Sequence, residues 1–281
     1  MKRIEIPLIE RKDNNVSTKS NVISTNDIFD RIYKYTKLDE LVNKYHNNEE
    51  FTRNDLISLY DIYNIFKAYY GFYNYYSKII YTLSTIQKKR NIKEDMAKIF
   101  DCDPKEIAMN NRQLDIDPTR YVVLLGFLET STNEYKYPNL KYISDSCIVK
   151  DCICIDNMFP NLLSIGGFGR FYYIKSAYGL ESLKSLAHVD FCHLTDAKAL
   201  SNLEMIFGNA DFRSMITAEG LDKLKYIGGD AYFNALEDTS HLSSLEYIGG
   251  DVYFDSLDKE ECSEIISRVK KKNKTINNLD L

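Results

Sequence analysis

Apolar residues recur at a nearly fixed spacing in the second half of the chain. The two clearest units run from Leu221 to Phe233 and from Leu242 to Phe254, and they share nine identical residues at an offset of 21. Following this offset backwards identifies six units between residues 137 and 257. Because a repeat of this length cannot bury its apolar side alone, the pattern predicts a solenoid in which neighbouring units stack on one another.

Each unit contains a short alternating segment that predicts a β-strand. Successive side chains of a strand point to opposite faces, so a residue between two interior positions points outward. One interior column is almost entirely phenylalanine and a second is leucine. These columns are Val149, Phe171, Phe191, Phe212, Phe233 and Phe254, and Leu140, Leu162, Leu183, Leu203, Leu224 and Leu245.

The outward positions of these strands combine tyrosines, arginines and aspartates with few aliphatic residues. Such a mixture is typical of a recognition surface, although a sheet face that merely contacts solvent would also be polar. Basic residues lie in the first units and acidic residues in the last ones. The expected partner is therefore a protein that presents a basic patch towards the C-terminal end of the solenoid. The candidate partner-binding residues are Arg170, Tyr172, Asp190, Asp211, Arg213, Asp230, Tyr232, Asp251, Tyr253 and Asp255.

The unit consensus is Leu-x-x-Leu-x-x-Ile-Gly-Gly, followed by an alternating strand that ends in Phe, and it resembles the leucine-rich repeat in its bacterial form. The resemblance covers residues 137–257. It implies short strands side by side in a parallel sheet, with the Gly-Gly pair supplying the turn into each strand. The asparagine that the family carries after the strand is matched only by Asn234, so the asparagine ladder of the family lacks support in this sequence.

The rest of the chain divides into four segments. Residues 1–23 are a tail with an alternating stretch compatible with an edge strand, and residues 24–116 carry the three- and four-residue spacings of an α-helical domain. Residues 117–136 connect to the solenoid and cap it, and their apolar run at 121–128 fits either a buried helix or a capping strand. Residues 258–281 begin acidic and continue basic, which predicts a capping helix and a tail. The predicted fold class is therefore α+β, with a helical domain followed by the solenoid.

Residues 92–113 resemble a helix-turn-helix, with Ala97 at the contact between the helices and Pro104 in the first turn of the second helix. That resemblance implies that the second helix reads DNA. Asp101 stands where the family usually has glycine, and the acidic residues beside the turn would repel phosphate, so a structural hairpin is the alternative. The candidate DNA-binding residues are Lys105, Asn110, Asn111, Arg112 and Gln113.

Bulk composition narrows the classes of partner. A formal net charge of -5 argues against nucleic-acid binding by bulk charge alone, so nucleic acid is a less expected partner than protein. The sequence contains no apolar run of about 18 residues, so no membrane association is expected. Six scattered cysteines suit free thiols in a reducing compartment. These features predict a cytoplasmic protein.

Catalytic and metal-binding patterns are sparse. Only four histidines occur, and Cys192 beside His193 would point to opposite faces if both lay in one strand, so the two side chains are not expected to share a proton. We find neither paired metal-ligand spacings nor a glycine-rich phosphate loop. The sequence therefore predicts a protein without enzymatic activity, cofactor or metal.

Three functional hypotheses follow from these patterns. The first is a protein that binds another protein through the strand surface of the repeats. The second is a DNA-binding regulator that uses residues 92–113. The third is a phage or mobile-element inhibitor, similar to anti-CRISPR proteins, that blocks a nucleic-acid enzyme by presenting acidic and tyrosine side chains where phosphates and bases would lie.

Overall fold

The computed structural model describes residues 38–68, 77–131 and 134–277. They form a group of helices followed by a parallel β-solenoid of about six turns and a C-terminal helix. The α-helices are α1 (Leu38–His46), α2 (Arg53–Ala68), α3 (Ser77–Lys88), α4 (Ile92–Phe100), α5 (Asn111–Ile116) and α6 (Lys259–Asn277). The strands are β1 (Ile107–Ala108), β2 (Val123–Leu124), β3 (Leu128–Thr130), β4 (Tyr142–Ile143), β5 (Cys147–Val149), β6 (Ser164–Phe171), β7 (Ser185–Asp190), β8 (Met205–Ile206), β9 (Ala210–Asp211), β10 (Tyr226–Ile227), β11 (Ala231–Tyr232), β12 (Tyr247–Ile248) and β13 (Val252–Tyr253).

The strands form two parallel ladders that run along the solenoid. The first ladder joins β1, β2, β4, β6, β7, β8, β10 and β12 in that order, and the second joins β3, β5, β6, β7, β9, β11 and β13. Equivalent residues of successive repeats lie side by side, as Ile227 with Ile248 and Ala231 with Val252 show. This arrangement confirms the predicted stacking of parallel repeats.

The phenylalanine column lies inside the solenoid, as predicted. Phe171, Phe191, Phe212 and Phe233 are fully buried, and their successive ring centroids lie 5.1, 5.7 and 5.6 Å apart. Phe254 continues the stack at 5.8 Å from Phe233 but is half-buried, because none of the described repeats lies beyond it. Offset or tilted aromatic stacking therefore adds to apolar burial along the length of the core.

The glycines before the strands have a different role from the one predicted. Neither Gly229 nor Gly250 has a positive φ, so neither supplies a left-handed turn. Instead, a Cβ atom at Gly229 would lie 2.0 Å from Oδ1 of Asn209, and one at Gly250 would lie 2.1 Å from Oδ1 of Asp230. Glycine is required because a side chain of the preceding turn fills the space where a Cβ atom would lie.

The helices before the solenoid pack on its first ladder. Their buried residues, including Leu56, Leu59 and Met96, share a core with Val123 and Tyr142 of the first ladder. Phe100 of α4 stacks on Tyr142 with ring centroids 5.4 Å apart, and α2 also contacts β6 and β7. These contacts cover the N-terminal part of the first ladder, as far as β7.

A buried carboxylate ties the helical core together. Asp95 of α4 is 4% exposed, and it accepts two hydrogen bonds from the Arg90 guanidinium at 2.6 and 2.7 Å. The Tyr60 hydroxyl of α2 donates a third hydrogen bond at 2.9 Å. Burial, followed by the Asp95 charge, raises the pKa of Tyr60, so this phenol remains a donor. The three groups satisfy one another where an unpaired charge would be costly.

The second helix of the predicted helix-turn-helix is absent. Pro104–Glu106 forms one 3₁₀ turn, capped by Asp103, and the chain then enters strand β1. Asp101 adopts the left-handed conformation at the end of α4, with φ 52°, where the motif would have glycine. Extended pairing of β1 with β2 takes the place of the helix, so this helix-turn-helix prediction is wrong.

The sheet also extends further towards the N-terminus than the repeat pattern indicated. Strand β1 lies within the segment predicted to be helical, while β2 and β3 lie within the predicted connector. The apolar run at 121–128 therefore contributes strands, which resolves the choice between helix and strand.

The C-terminal helix α6 is present as predicted. Its Ile265 and Val269 are buried in the solenoid core, and Nη2 of Arg268 donates a hydrogen bond to the carbonyl of Leu242 at 2.7 Å. The edge strand predicted within residues 1–23 and the start of the predicted helical domain lie outside the described residues.

Candidate functional site

The outer surface of the second ladder, here called the strand face, carries three rows of side chains. All ten candidate partner-binding residues lie in these rows, and none of them is buried. The central row is Ile148, Arg170, Asp190, Asp211, Tyr232 and Tyr253; the upstream row is Ser146, Phe168, His188, Asn209, Asp230 and Asp251; the downstream row is Lys150, Tyr172, Cys192, Arg213, Asn234 and Asp255.

A tyrosine stack occupies the C-terminal end of the central row. The rings of Tyr232 and Tyr253 are nearly parallel, at 3°, with centroids 4.7 Å apart. The guanidinium of Arg213 lies 5.9 Å from the Tyr232 centroid, and Tyr253 is 39% exposed. Because the strand pairing of Tyr232 with Tyr253 aligns the two side chains, the stack is held before any partner arrives.

Two predicted aspartates of the central row stabilise the turns that follow their strands. Oδ1 of Asp190 accepts a hydrogen bond from the Cys192 amide at 3.2 Å, and Oδ1 of Asp211 accepts one from the Arg213 amide at 3.2 Å. Asp211 also forms an ion pair with the Arg213 side chain, whose Nε lies 2.9 Å from Oδ1. Both carboxylates therefore have partners within the chain, and Asp211 positions Arg213 beside the tyrosine stack.

The upstream row forms a chain of hydrogen bonds from one turn to the next. Nδ1 of His188 accepts from the Asn209 amide at 3.0 Å, Oδ1 of Asn209 accepts from the Asp230 amide at 3.1 Å, and Oδ1 of Asp230 accepts from the Asp251 amide at 2.9 Å. These are the side chains that require glycine in the following turn. Asp230 therefore has a structural role, while Asp251 is exposed at the end of the row.

The acidic end of the strand face affects the terminal tyrosine. Burial, followed by the carboxylate of Asp251 and the neighbouring Tyr232, raises the pKa of Tyr253 above its ordinary value. Asp255 accepts a hydrogen bond from Nδ2 of Asn234 at 2.7 Å. The raised pKa keeps the Tyr253 hydroxyl protonated at neutral pH, so this ring presents a hydrogen-bond donor at the end of the strand face.

The N-terminal half of the strand face is more apolar and basic. Phe168 stacks on His188 with centroids 4.5 Å apart, and the guanidinium of Arg170 lies 4.9 Å from the Phe168 centroid. Phe127 lies two turns before Phe168 in line with the upstream row, and it is 54% exposed. The sequence reasoning missed Phe127 because its strand lies before the recognisable repeats.

A series of polar side chains outside the strand face joins successive turns, and the sequence analysis did not predict it. Asn161, Ser182 and Asn202 each donate a side-chain hydrogen bond to a backbone carbonyl of the preceding turn, at 2.7, 2.7 and 2.8 Å. Each of them immediately precedes the leucine of its repeat, so the signal was the recurring polar residue at that position. These side chains supply donors to backbone carbonyls of the loops. Their position before the leucine differs from the position after the strand, where the family carries its asparagine.

Cys192 and His193 are closer than predicted. Strand β7 ends at Asp190, so strand alternation does not apply to the two residues, and Sγ of Cys192 lies 3.1 Å from Nδ1 of His193. Burial and then hydrogen bonding to Asp190 raise the pKa of the Cys192 thiol to about 11. Since the thiolate is the nucleophilic form, this contact does not provide an activated nucleophile at neutral pH.

The five candidate DNA-binding residues do not all lie on one helix. Lys105 lies in the 3₁₀ turn, Asn110 precedes α5, and Arg112 is exposed on α5. The Asn111 side chain contacts Asp115, and Oε1 of Gln113 accepts from the Met109 amide at 2.5 Å. Two of these five side chains are therefore engaged within the chain.

Within the described residues, no three His, Cys, Asp or Glu side chains are grouped so that they could hold a metal ion. None of the described helices is both long enough and apolar enough to cross a bilayer.

Comparisons of the chain with protein-family models, with curated proteins and with solved structures found no match.

Proposed function

We propose that the chain is a non-enzymatic binding protein of the leucine-rich-repeat type, which recognises a partner protein through its strand face. The observation that carries this proposal is the stacked pair Tyr232–Tyr253, which the parallel ladder orients and Arg213 flanks. Tyrosine and arginine are the residues that most often dominate binding energy at protein interfaces. Because the stack is already ordered, little side-chain entropy is lost when a partner binds.

The location of the strand face supports the same function. The helices pack on the first ladder, whereas the three rows of the second ladder are exposed or half-buried among the described residues. Successive turns are joined by backbone and side-chain hydrogen bonds, which makes the surface rigid. The mechanism we propose is occlusion or scaffolding by this rigid surface.

The charges on the strand face favour a protein partner over a nucleic acid. Asp230, Asp251 and Asp255 surround the tyrosine stack, so a phosphate backbone would meet like charge at the aromatic site. A basic patch on a protein would meet opposite charge there, while Arg170 carries positive charge towards the other end.

The test is photo-crosslinking from the strand face. A photoreactive residue at Asp255 in the tagged chain, expressed in cells that naturally contain the protein, should capture a defined partner. Tyr232→Ala combined with Tyr253→Ala should lower the affinity for that partner by about 30-fold or more.

Tyr178→Ala is the matched control, because Tyr178 is also exposed, at 48%, but lies outside the three rows. Circular dichroism should show that both variants keep the fold of the parent chain. An unchanged affinity in the double variant would mean that the strand face is not the binding surface.

The other two hypotheses remain predictions with less support. DNA reading by residues 92–113 lacks the second helix that would enter a groove, since β1 lies there. An inhibitor of a nucleic-acid enzyme would use the same acidic and tyrosine side chains of the strand face. This hypothesis is therefore a special case of protein binding, in which the partner is such an enzyme.

A further inference from the structure

The last strand of the second ladder has only one neighbour among the described strands. β13 pairs with β11, and no described strand pairs with its other edge. Within the ladder, the Ala231 amide donates to the Asp251 carbonyl at 2.9 Å and the Phe233 amide donates to the Tyr253 carbonyl at 2.9 Å. The same geometry one turn later directs the amides of Val252 and Phe254 away from β11, towards the position of a further turn.

The C-terminal helix does not take the place of that further turn. α6 packs against β12, the last strand of the first ladder, and buries Ile265 and Val269 in the core. Among the described residues, the Val252 and Phe254 amides have no backbone acceptor. The side chains of both residues are half-buried against the core and would be covered by one more strand.

The side chains along this edge specify the charge of a strand that could pair with it. Asp251, Tyr253 and Asp255 alternate along the chain and are all exposed, so they form one face of the edge strand. Residues 250–258 contain three aspartates and no lysine or arginine. Arg213 beside Tyr232 shows, within the same stack, how a guanidinium is accommodated against these tyrosines.

We propose that the free edge of β13 binds an extended basic segment of the partner protein, which adds a parallel strand to the second ladder. This deepens the proposed function, since it names the partner chemistry at one end of the strand face. In the added strand, basic residues lie opposite Asp251 and Asp255, and an arginine stacks on Tyr253. Apolar residues between them cover Val252 and Phe254, so the predicted motif is basic, apolar, arginine, apolar, basic.

The test uses a fluorescent peptide that contains Lys-Val-Arg-Phe-Lys between neutral flanks, and measures its binding to the full chain by anisotropy at low ionic strength. In the proposed parallel pairing, the backbone amide of the peptide arginine donates a hydrogen bond to the Val252 carbonyl. The backbone amide of the peptide phenylalanine points away from β13. N-methylation of the arginine should therefore weaken binding by about tenfold or more, and N-methylation of the phenylalanine should leave it nearly unchanged. A peptide in which glutamates replace the three basic residues should not bind.

Variants of the chain test the same edge from the other side. Val252→Pro removes an amide that pairs with no described strand, so the fold should be retained, and binding should weaken by about tenfold. Val252→Ala keeps the amide and is the matched control. Should Val252→Pro fail to fold, the two N-methylated peptides still decide the question.

Four results would overturn strand addition at the edge of β13. Equal binding of both N-methylated peptides, equal binding of the glutamate peptide, or no binding of the parent peptide would overturn strand addition. Self-association of the chain that Val252→Pro abolishes would also overturn it, because the occupant would then be a second copy. If strand addition fails while the tyrosine double variant still loses the crosslinked partner, the proposed function stands without it.

Discussion

Replacing Phe212 by leucine should destabilise the solenoid far more than the same change at Phe254. Phe212 is fully buried, with Phe191 and Phe233 on either side at 5.7 and 5.6 Å. Two aromatic pairs contribute about 1–3 kcal/mol beyond burial, and the change of shape in a packed core adds about 1 kcal/mol. The expected loss in the free energy of unfolding is about 2–4 kcal/mol.

Phe254 provides the matched control because it has one ring neighbour in the column, Phe233 at 5.8 Å, and is only half-buried. Its replacement by leucine should cost about 1 kcal/mol. Urea titration followed by far-ultraviolet circular dichroism measures both values. The slope of each titration should match the parent, since a changed slope would mean that turns unfold separately. Costs that agree within about 0.5 kcal/mol would refute the view that ring stacking holds successive turns together.

Three further predictions concern other contacts. Arg90→Met should lower the free energy of unfolding by about 2–4 kcal/mol, because it removes two of the three hydrogen bonds to buried Asp95. Tyr60→Phe removes one hydrogen bond and should lower it less. Equal losses in urea titrations of the two variants would contradict this. Gly208→Ala should lower the free energy of unfolding by about 1–3 kcal/mol, because a Cβ atom would lie 2.1 Å from the His188 ring. The same change should lower it much less in a His188→Ala background. Additive effects of the two substitutions would argue against this clash. Hydrogen bonding to Asp222 raises the pKa of His241, so Asp222→Asn should lower that pKa in an NMR titration. A His pKa that is raised on folding contributes stability below about pH 6.5 that is lost as pH rises through the folded value, so parent and Asp222→Asn should converge in stability at high pH.

The interior of the solenoid could be predicted because its units have almost equal length. At an offset of 21, the alignment of Phe212, Phe233 and Phe254 requires neither gaps nor knowledge of the turns. The strand face followed from the same columns by alternation. The earlier strands could not be found in this way, since Ile107, Val123 and Tyr142 are separated by shorter or unequal spacings and lack the Gly-Gly pair.

The errors have physical causes that the local sequence does not show. Residues 92–113 carry a helical pattern, but pairing of β1 with β2 overrides it after Pro104. The roles of Gly229 and Gly250 depend on side chains 20 residues earlier, which only the stacking of turns brings close. Cys192 and His193 meet because the strand ends two residues before Cys192, and such boundaries cannot be read to that accuracy from a pattern.

The hydrogen bonds of the upstream row all run in one direction, from an acceptor side chain in one turn to an amide in the next. Removing the last turn would leave the Asp230 carboxylate without its donor, in a position like that of exposed Asp251, where water can replace the donor. Removing an early turn would instead leave an amide such as that of Asn209 without its acceptor. The two ends of the array therefore differ in their tolerance of shortening, and gain or loss of a whole unit should cost less at the C-terminal end.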